Sequence, residues 1–228
     1  MSKRLAPVGV LILMVTVAAS AGDVARFVNL GFSPDSRYFM FGQYGIHEKT
    51  STPWAETFIV DVKANAFVAH GIRKASSPQQ VDPGNDGIGA LFDAVAEARA
   101  QKAQYRIHHP ATGRMLYILV DGAPPPDTID FRDFQAGTSY EVNLTQIPPS
   151  GEGGAAYWLA INVTGKDGTV RGYRAGELSL RRPGVKAYHI KAIFLAPNNA
   201  SLVFLIQKEE QDSHGCNVRY MIETVGIN

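Results

Sequence analysis

The chain has 228 residues, 45% of them hydrophobic, with 22 basic against 21 acidic side chains. That balance excludes a disordered polar chain and supplies neither a positive field for nucleic acid nor a polybasic membrane patch. A single cysteine, Cys216, excludes an internal disulfide, so the fold must stand on packing alone.

The chain opens with Lys3 and Arg4, followed by an apolar run from Val8 to Ala18 broken only by Gly9 and Thr16. Ala19, Ser20 and Ala21 then supply small residues before Gly22. This order of charge, apolar core and small residues predicts a secretory signal over residues 1–21, with the mature chain beginning at Gly22. The apolar core falls short of the roughly 20 residues a spanning helix needs. No cysteine stands at the cleavage site to carry a lipoprotein's lipid, and no second apolar stretch reaches spanning length. Removing Lys3 and Arg4 leaves one fewer basic than acidic residue. The expected product is a soluble periplasmic or secreted protein with no transmembrane segment after cleavage.

Phe32-Ser33-Pro34-Asp35-Ser36-Arg37 leads into the apolar run Tyr38 to Phe41, and Phe194-Leu195-Ala196-Pro197-Asn198-Asn199 leads into Leu202 to Ile206. Each is an aromatic, a turn and a strand: Pro presets φ, and Asp or Asn bonds back to its own backbone. Glu56 to Val62 reads as a further strand. The order of FSPD, strand and FIVDV resembles one blade of a β-propeller of the WD40-like or TolB type, whose units run about 40–45 residues. Strands starting at Arg114, Ala156 and Ser201 follow near that beat.

Leu116 to Val120 and Leu202 to Ile206 are apolar on both faces, which predicts strands covered on each side. Tyr140, Val142 and Leu144 alternate with polar residues, as do Val218, Tyr220 and Ile222, which predicts edge or outer positions. Residues 76–87 read as a loop, and one helix is expected over about Ile88 to Gln104, with Asp86 as its cap and Leu91, Val95 and Ala98 as its buried stripe. Pro124 to Pro126 and Pro148 to Gly154 are breaks, but strands resume at once, so 22–228 reads as one mainly-β domain. The expected architecture is a propeller-like array of antiparallel sheets with one inserted helix; a β-sandwich is the alternative. In a closed array the strand near Arg219 to Val225 would pack beside the strand near Arg26 to Phe32, removing exposed edges.

Candidate chemistry is sparse. Asp82, Asp86, Gly87 and Asp93 fall at positions one, five, six and twelve of a calcium loop, but Gly84 stands at position three and Pro83 at position two. An N-cap role for Asp86 accounts for the same residues. His108 and His109 follow a strand side by side, where neighbours point to opposite faces. His214 and Cys216 share a face without a third ligand nearby. No G-x-S-x-G elbow or H-E-x-x-H helix occurs, and Gly84 to Gly89 and Gly151 to Gly154 lack the context of phosphate loops. Trp54, Tyr157 and Trp158 are expected in the core, and Asn143-Leu144-Thr145 and Asn162-Val163-Thr164 match the glycosylation triplet. No catalytic residue is assigned, and neither metal nor cofactor is expected.

The segments Phe27 to Asp35, Phe41 to Gly45, Asp86 to Phe92 and Arg219 to Thr224 resemble a family of predicted secreted bacterial proteins of uncharacterised function. That resemblance implies export. The reading is an exported, non-enzymatic binding or scaffold protein of the cell envelope, with a protein or envelope partner and no nucleic acid. An exported hydrolase with a dispersed site is the alternative.

Overall fold

A computed structural model describes residues 21–150, 153–212 and 215–227, so residues 1–20 of the expected signal sequence, Gly151 and His214 lie outside the described residues, while Ala21, the last residue of that expected signal, begins the first strand. In chain order the strands are β1 (Ala21–Val24), β2 (Arg26–Phe32), β3 (Tyr38–His47), β4 (Thr52–Asp61) and β5 (Ala66–Ser76). Helices α1 (Ile88–Glu97) and α2 (Arg99–Gln104) follow, then β6 (Arg114–Ile118), β7 (Thr128–Asp133), β8 (Thr138–Ile147), β9 (Ala156–Thr164) and β10 (Val170–Glu177). The described chain closes with β11 (Val185–Leu195), β12 (Ser201–Asp212) and β13 (Gly215–Gly226).

These strands form three sheets. The central sheet runs β1-β13-β12-β11-β6, the helix-side sheet β2-β3-β4-β5 and the outer sheet β10-β9-β8-β7. The fold is mainly β and antiparallel; the pairing of β1 with β13 is parallel. The layers follow from side-chain parity. Leu202, Phe204 and Ile206 of β12 pack with Val142, Tyr157, Leu159 and Ile161 of the outer sheet. Val203 and Leu205, one residue out of phase, pack with Phe32, Phe39, Phe41 and Phe58 of the helix-side sheet. Phe41 and Phe58 stack at 4.7 Å between centroids. The both-faces apolar pattern of Leu202 to Ile206 thus marks a strand with a sheet on each side.

The helices cover the far face of the helix-side sheet. Ala90, Leu91 and Ala94 pack on Tyr44 and Ala55, and Ala98 packs on Met40 and Ile59. Gly42 of β3 lies under this contact: a Cβ there would stand 2.6 Å from Leu91 Cδ1. The single helix expected over residues 88–104 is two, meeting at Ala98. The bonds Ala98 N–H to Ala94 C=O (3.1 Å) and Lys102 N–H to Ala98 C=O (2.8 Å) carry the turn across the join.

The two aromatic-Pro turns are superposable in their bonding. Ser36 N–H donates to Ser33 C=O, Asn199 N–H donates to Ala196 C=O, each at 2.8 Å, and Ser36 and Asn199 both adopt left-handed φ (57° and 56°). A turn followed by a left-handed residue is a standard hairpin connection. The turns also touch, because Asn198 N–H donates to Ser36 Oγ at 3.2 Å.

Further sequence expectations change: the strand of Val218, Tyr220 and Ile222, expected at an edge or outer position, is β13, paired on both sides within the central sheet. Leu116 to Val120 is not covered on both sides: β6 is an edge strand, with Ile118 52% and Val120 69% exposed. β6 also joins the sheet of β12 instead of opening a unit on the expected beat. The chain ends meet, but through β1, which pairs Ala21 with Cys216 and Val24 with Val218. Residues 26–32 have already crossed into the helix-side sheet at Ala25, and they reach β13 face-on, with Phe27 and Tyr220 rings 6.0 Å apart.

One buried polar cluster joins all three sheets. Glu223 of β13, 5% exposed, accepts from the Tyr157 hydroxyl of the outer sheet at 2.8 Å and from the Asn65 amide at the β4–β5 turn. Burial, and then the Glu223 charge, push the Tyr157 hydroxyl well above its ordinary pKa, so it stays a donor.

Candidate functional site

The helix-side sheet does not cover the whole of its side of the central sheet. Beyond β2 lies a groove of about 750 Å³ whose floor is the central sheet and whose wall is the β1–β2 crossing. Met115 and Ile118 of β6, Phe194 of β11, Gln207 of β12 and Tyr220 of β13 line the floor, and Phe27 lines the wall. Phe27 is wedged between Phe194 (6.2 Å) and Tyr220 (6.0 Å), which fixes the aromatic side of the groove.

Lys191 reaches this apolar floor through a β-bulge. The register of β11 against β12 shifts between Ile190 and Ala192, leaving Lys191 as the extra residue. Before it, Tyr188 and Ile190 face the outer sheet; after it, Ile193 and Leu195 do. The parity therefore switches at Lys191. Its ammonium donates to Leu119 C=O at 2.8 Å and to the Asp121 carboxylate, with the side chain only 17% exposed. Lys191 holds the Asp121 carboxyl below its ordinary pKa through that hydrogen bond. Tyr220 is pushed above its ordinary value, chiefly by burial and then by the charge of Asp121. The groove thus offers a neutral phenol, an amide and an ion pair whose Asp121 side faces solvent, beside exposed Met115 and Ile118. Such a lining binds an elongated, partly apolar ligand and orients it by a few polar groups.

The residues singled out from sequence lie elsewhere. Asp86 accepts from Arg26 (3.2 Å), from the Tyr44 hydroxyl (3.4 Å) and from Ile88 N–H (3.2 Å). The N-cap residue itself is Gly87, one residue later than the expected Asp86, and a Cβ at Gly87 would meet Gly45 O at 2.5 Å. Asp93 is on α1, which begins at Ile88, so residues 82–93 do not form a continuous loop. Among the described residues no group of three or more His, Cys, Asp or Glu side chains is placed to hold a metal.

His109 donates from Nδ1 to Leu30 C=O (2.6 Å) and accepts at Nε2 from Lys102 (3.1 Å), while His108 lines a different groove on the helical side. Burial pushes the Cys216 thiol up, making it a weak nucleophile. Trp54 is buried beneath the Arg219 guanidinium, 4.2 Å from its ring. Tyr157 is in the Glu223 cluster, and Trp158 lies under Arg174 at 4.7 Å. Asn143 and Asn162 both donate to Glu141 in the outer sheet (3.2 and 3.1 Å).

Sequence reasoning passed over Lys191, Gln207, Tyr220 and Phe27. The available signal was the break in alternation through Tyr188 to Leu195, where a lysine interrupts two phases of one strand.

A family model described as "Predicted secreted protein (DUF2259)" matches residues 40–226. None of the curated proteins compared with the sequence matches it.

Proposed function

The chain belongs to this family of predicted secreted proteins, and we propose that it is a non-enzymatic binding or scaffold protein of the bacterial cell envelope and takes its ligand in the groove on the central sheet. The observation that carries this reading is Lys191, aimed by a bulge onto an apolar floor and held there by Leu119 C=O and Asp121. Its ammonium is engaged in positioning, which suits recognition better than proton transfer. The two four-stranded meanders and the β11-β12-β13 meander of the central sheet support reading 22–228 as one domain with blade-like units, and the signal pattern before Gly22 supports a periplasmic or extracellular destination.

Site-specific photocrosslinking of the exported protein tests the reading. A crosslinker at Ile118 should capture an envelope component that a crosslinker at Arg132, on the outer sheet, does not, and Lys191→Glu should abolish the capture. Equal capture at both positions, or none at Ile118, would sink it. Turnover of ester, peptide or glycoside substrates that groove substitutions abolish would favour the hydrolase instead.

A further inference from the structure

The helical layer carries a second surface, separate from the groove on the central sheet. A broad groove of about 1060 Å³ between α1 and the segment after α2 is lined by Arg99, Lys102, Arg106 and His108 together with Phe92 and Val95. None of its lining residues is acidic. Phe92, a large apolar ring, is 65% exposed, and Ile88 one turn earlier is 37% exposed. Cations and exposed apolar side chains thus share one face of the outermost layer.

Two details bear on how these cations are presented, one a side-chain contact and one the backbone. Lys102 is steadied by His109, whose Nε2 accepts from its ammonium at 3.1 Å while Nδ1 donates to Leu30 C=O. Arg106 closes α2: Arg106 N–H donates to Ala103 C=O and Ile107 N–H to Lys102 C=O, with Arg106 itself left-handed at φ 53°. Glycine is the ordinary occupant of that closing position. An arginine there carries backbone strain that glycine would not, and it places a guanidinium beside the groove. The nearest acids lie outside the lining. Asp93 and Glu97 are exposed on α1, and Asp35 already accepts from the Ser33 hydroxyl, which chiefly holds its carboxyl below the ordinary pKa, and from Arg37 N–H.

We propose that this face docks the protein on an anionic lipid surface, with Arg99, Lys102 and Arg106 at the phosphate groups and Phe92 inserted at the headgroup boundary. The charge is complementary to phospholipid phosphates, and the exposed ring favours a membrane over a purely acidic protein partner. The net balance of the chain hides this cluster, because Arg99, Lys102 and Arg106 recur every three to four residues amid neutral residues.

Co-sedimentation of the exported protein with vesicles tests the proposal. Vesicles of phosphatidylcholine mixed with phosphatidylglycerol should bind the protein, more weakly as salt rises, and pure phosphatidylcholine should not. The triple charge reversal Arg99→Glu, Lys102→Glu, Arg106→Glu should weaken partition by more than about 100-fold, because removal of each cation alone is worth about fivefold. Phe92→Ser should weaken it about tenfold. These side chains are exposed or half-buried, and unchanged circular dichroism would verify that the variants fold. Reversing Arg132, Lys166 and Arg174 on the outer sheet alters net charge equally and should leave partition nearly unchanged. Equal binding to pure phosphatidylcholine, no binding to either vesicle, or full binding by the triple variant would overturn the proposal. Loss of binding in the outer-sheet control would overturn it too, by showing that net charge alone decides. Displacement by inorganic phosphate at constant ionic strength would replace it with a soluble phosphate site.

Discussion

On one face of the central sheet, Leu202, Phe204 and Ile206 are sealed beneath the outer sheet; on the other, Val203 and Leu205 begin beneath phenylalanines and Gln207 ends in an open groove. The same strand serves both. The sealed face also holds a polar cluster that touches all three sheets, at Glu223. Where cover is complete, a polar group must find its partner inside the protein. Where cover stops, Lys191, Gln207 and Tyr220 are left facing a space that a ligand can fill. The difference arises from the extent of the covering sheet and not from the composition of the strands beneath it.

Substitutions on the sealed face should cost the most. Phe204→Ala empties a fully buried site and should lower stability by about 4 kcal/mol in urea unfolding; a loss below about 1 kcal/mol would mean the two sheets do not seal there. Tyr157→Phe should cost about 2 kcal/mol, because Glu223 loses a donor it cannot replace with water. If Tyr157→Phe proved neutral, the cluster would have to be solvated.

A smaller effect is expected where the edges of the two sheets meet. Asp133 of β7, 3% exposed, is paired through both oxygens with Arg114 of β6. The Arg114 hydrogen bonds hold the Asp133 carboxyl below its ordinary pKa against the opposing effect of burial, and the N–H groups of Ala136 and Gln135 add to the lowering. The folded value thus lies below the unfolded value of about 3.9. The stability this pair contributes is fully present above that unfolded value and is lost as the pH falls through the folded one. Asp133→Asn should cost about 1.5 kcal/mol at neutral pH, and a urea midpoint series from neutral to acid pH should show a shallower decline than in the parent protein. Parallel declines would remove Asp133 from the account of acid sensitivity.

The smallest stability change, within about 0.5 kcal/mol, is expected for Tyr220→Phe in the open groove. The same substitution should nonetheless reduce capture at Ile118. A variant that unfolds readily while still capturing its partner would reverse the contrast between the faces.

How far this contrast could be read in advance differs between strands. The run Leu202 to Ile206 announced a strand covered twice, and the two Pro turns announced matching hairpins that bond alike. Leu116 to Val120 carries the same apolar signature, yet Met115 and Ile118 belong to the groove. A sequence pattern records that a face is apolar and not whether a sheet or a vacant space lies above it. Lys191 escaped notice because a bulge is a property of two paired strands, and its partner register lies along β12. The cations of α2 escaped because a balanced total conceals a local cluster.

The parallel contact of β1 with β13 has a temporal meaning. Asp23 N–H donates to Asn217 Oδ1 across a separation of 194 residues, and Gly22 lies so close to β13 that a Cβ would stand 2.3 Å from Cys216 O. The first strand to leave a ribosome or a translocase must therefore wait for nearly the last. Pairings of such long range form slowly, because the loop between them must close first. The central sheet cannot be completed until its final strand emerges, whereas the helix-side and outer sheets pair only neighbours in sequence and need not wait for it.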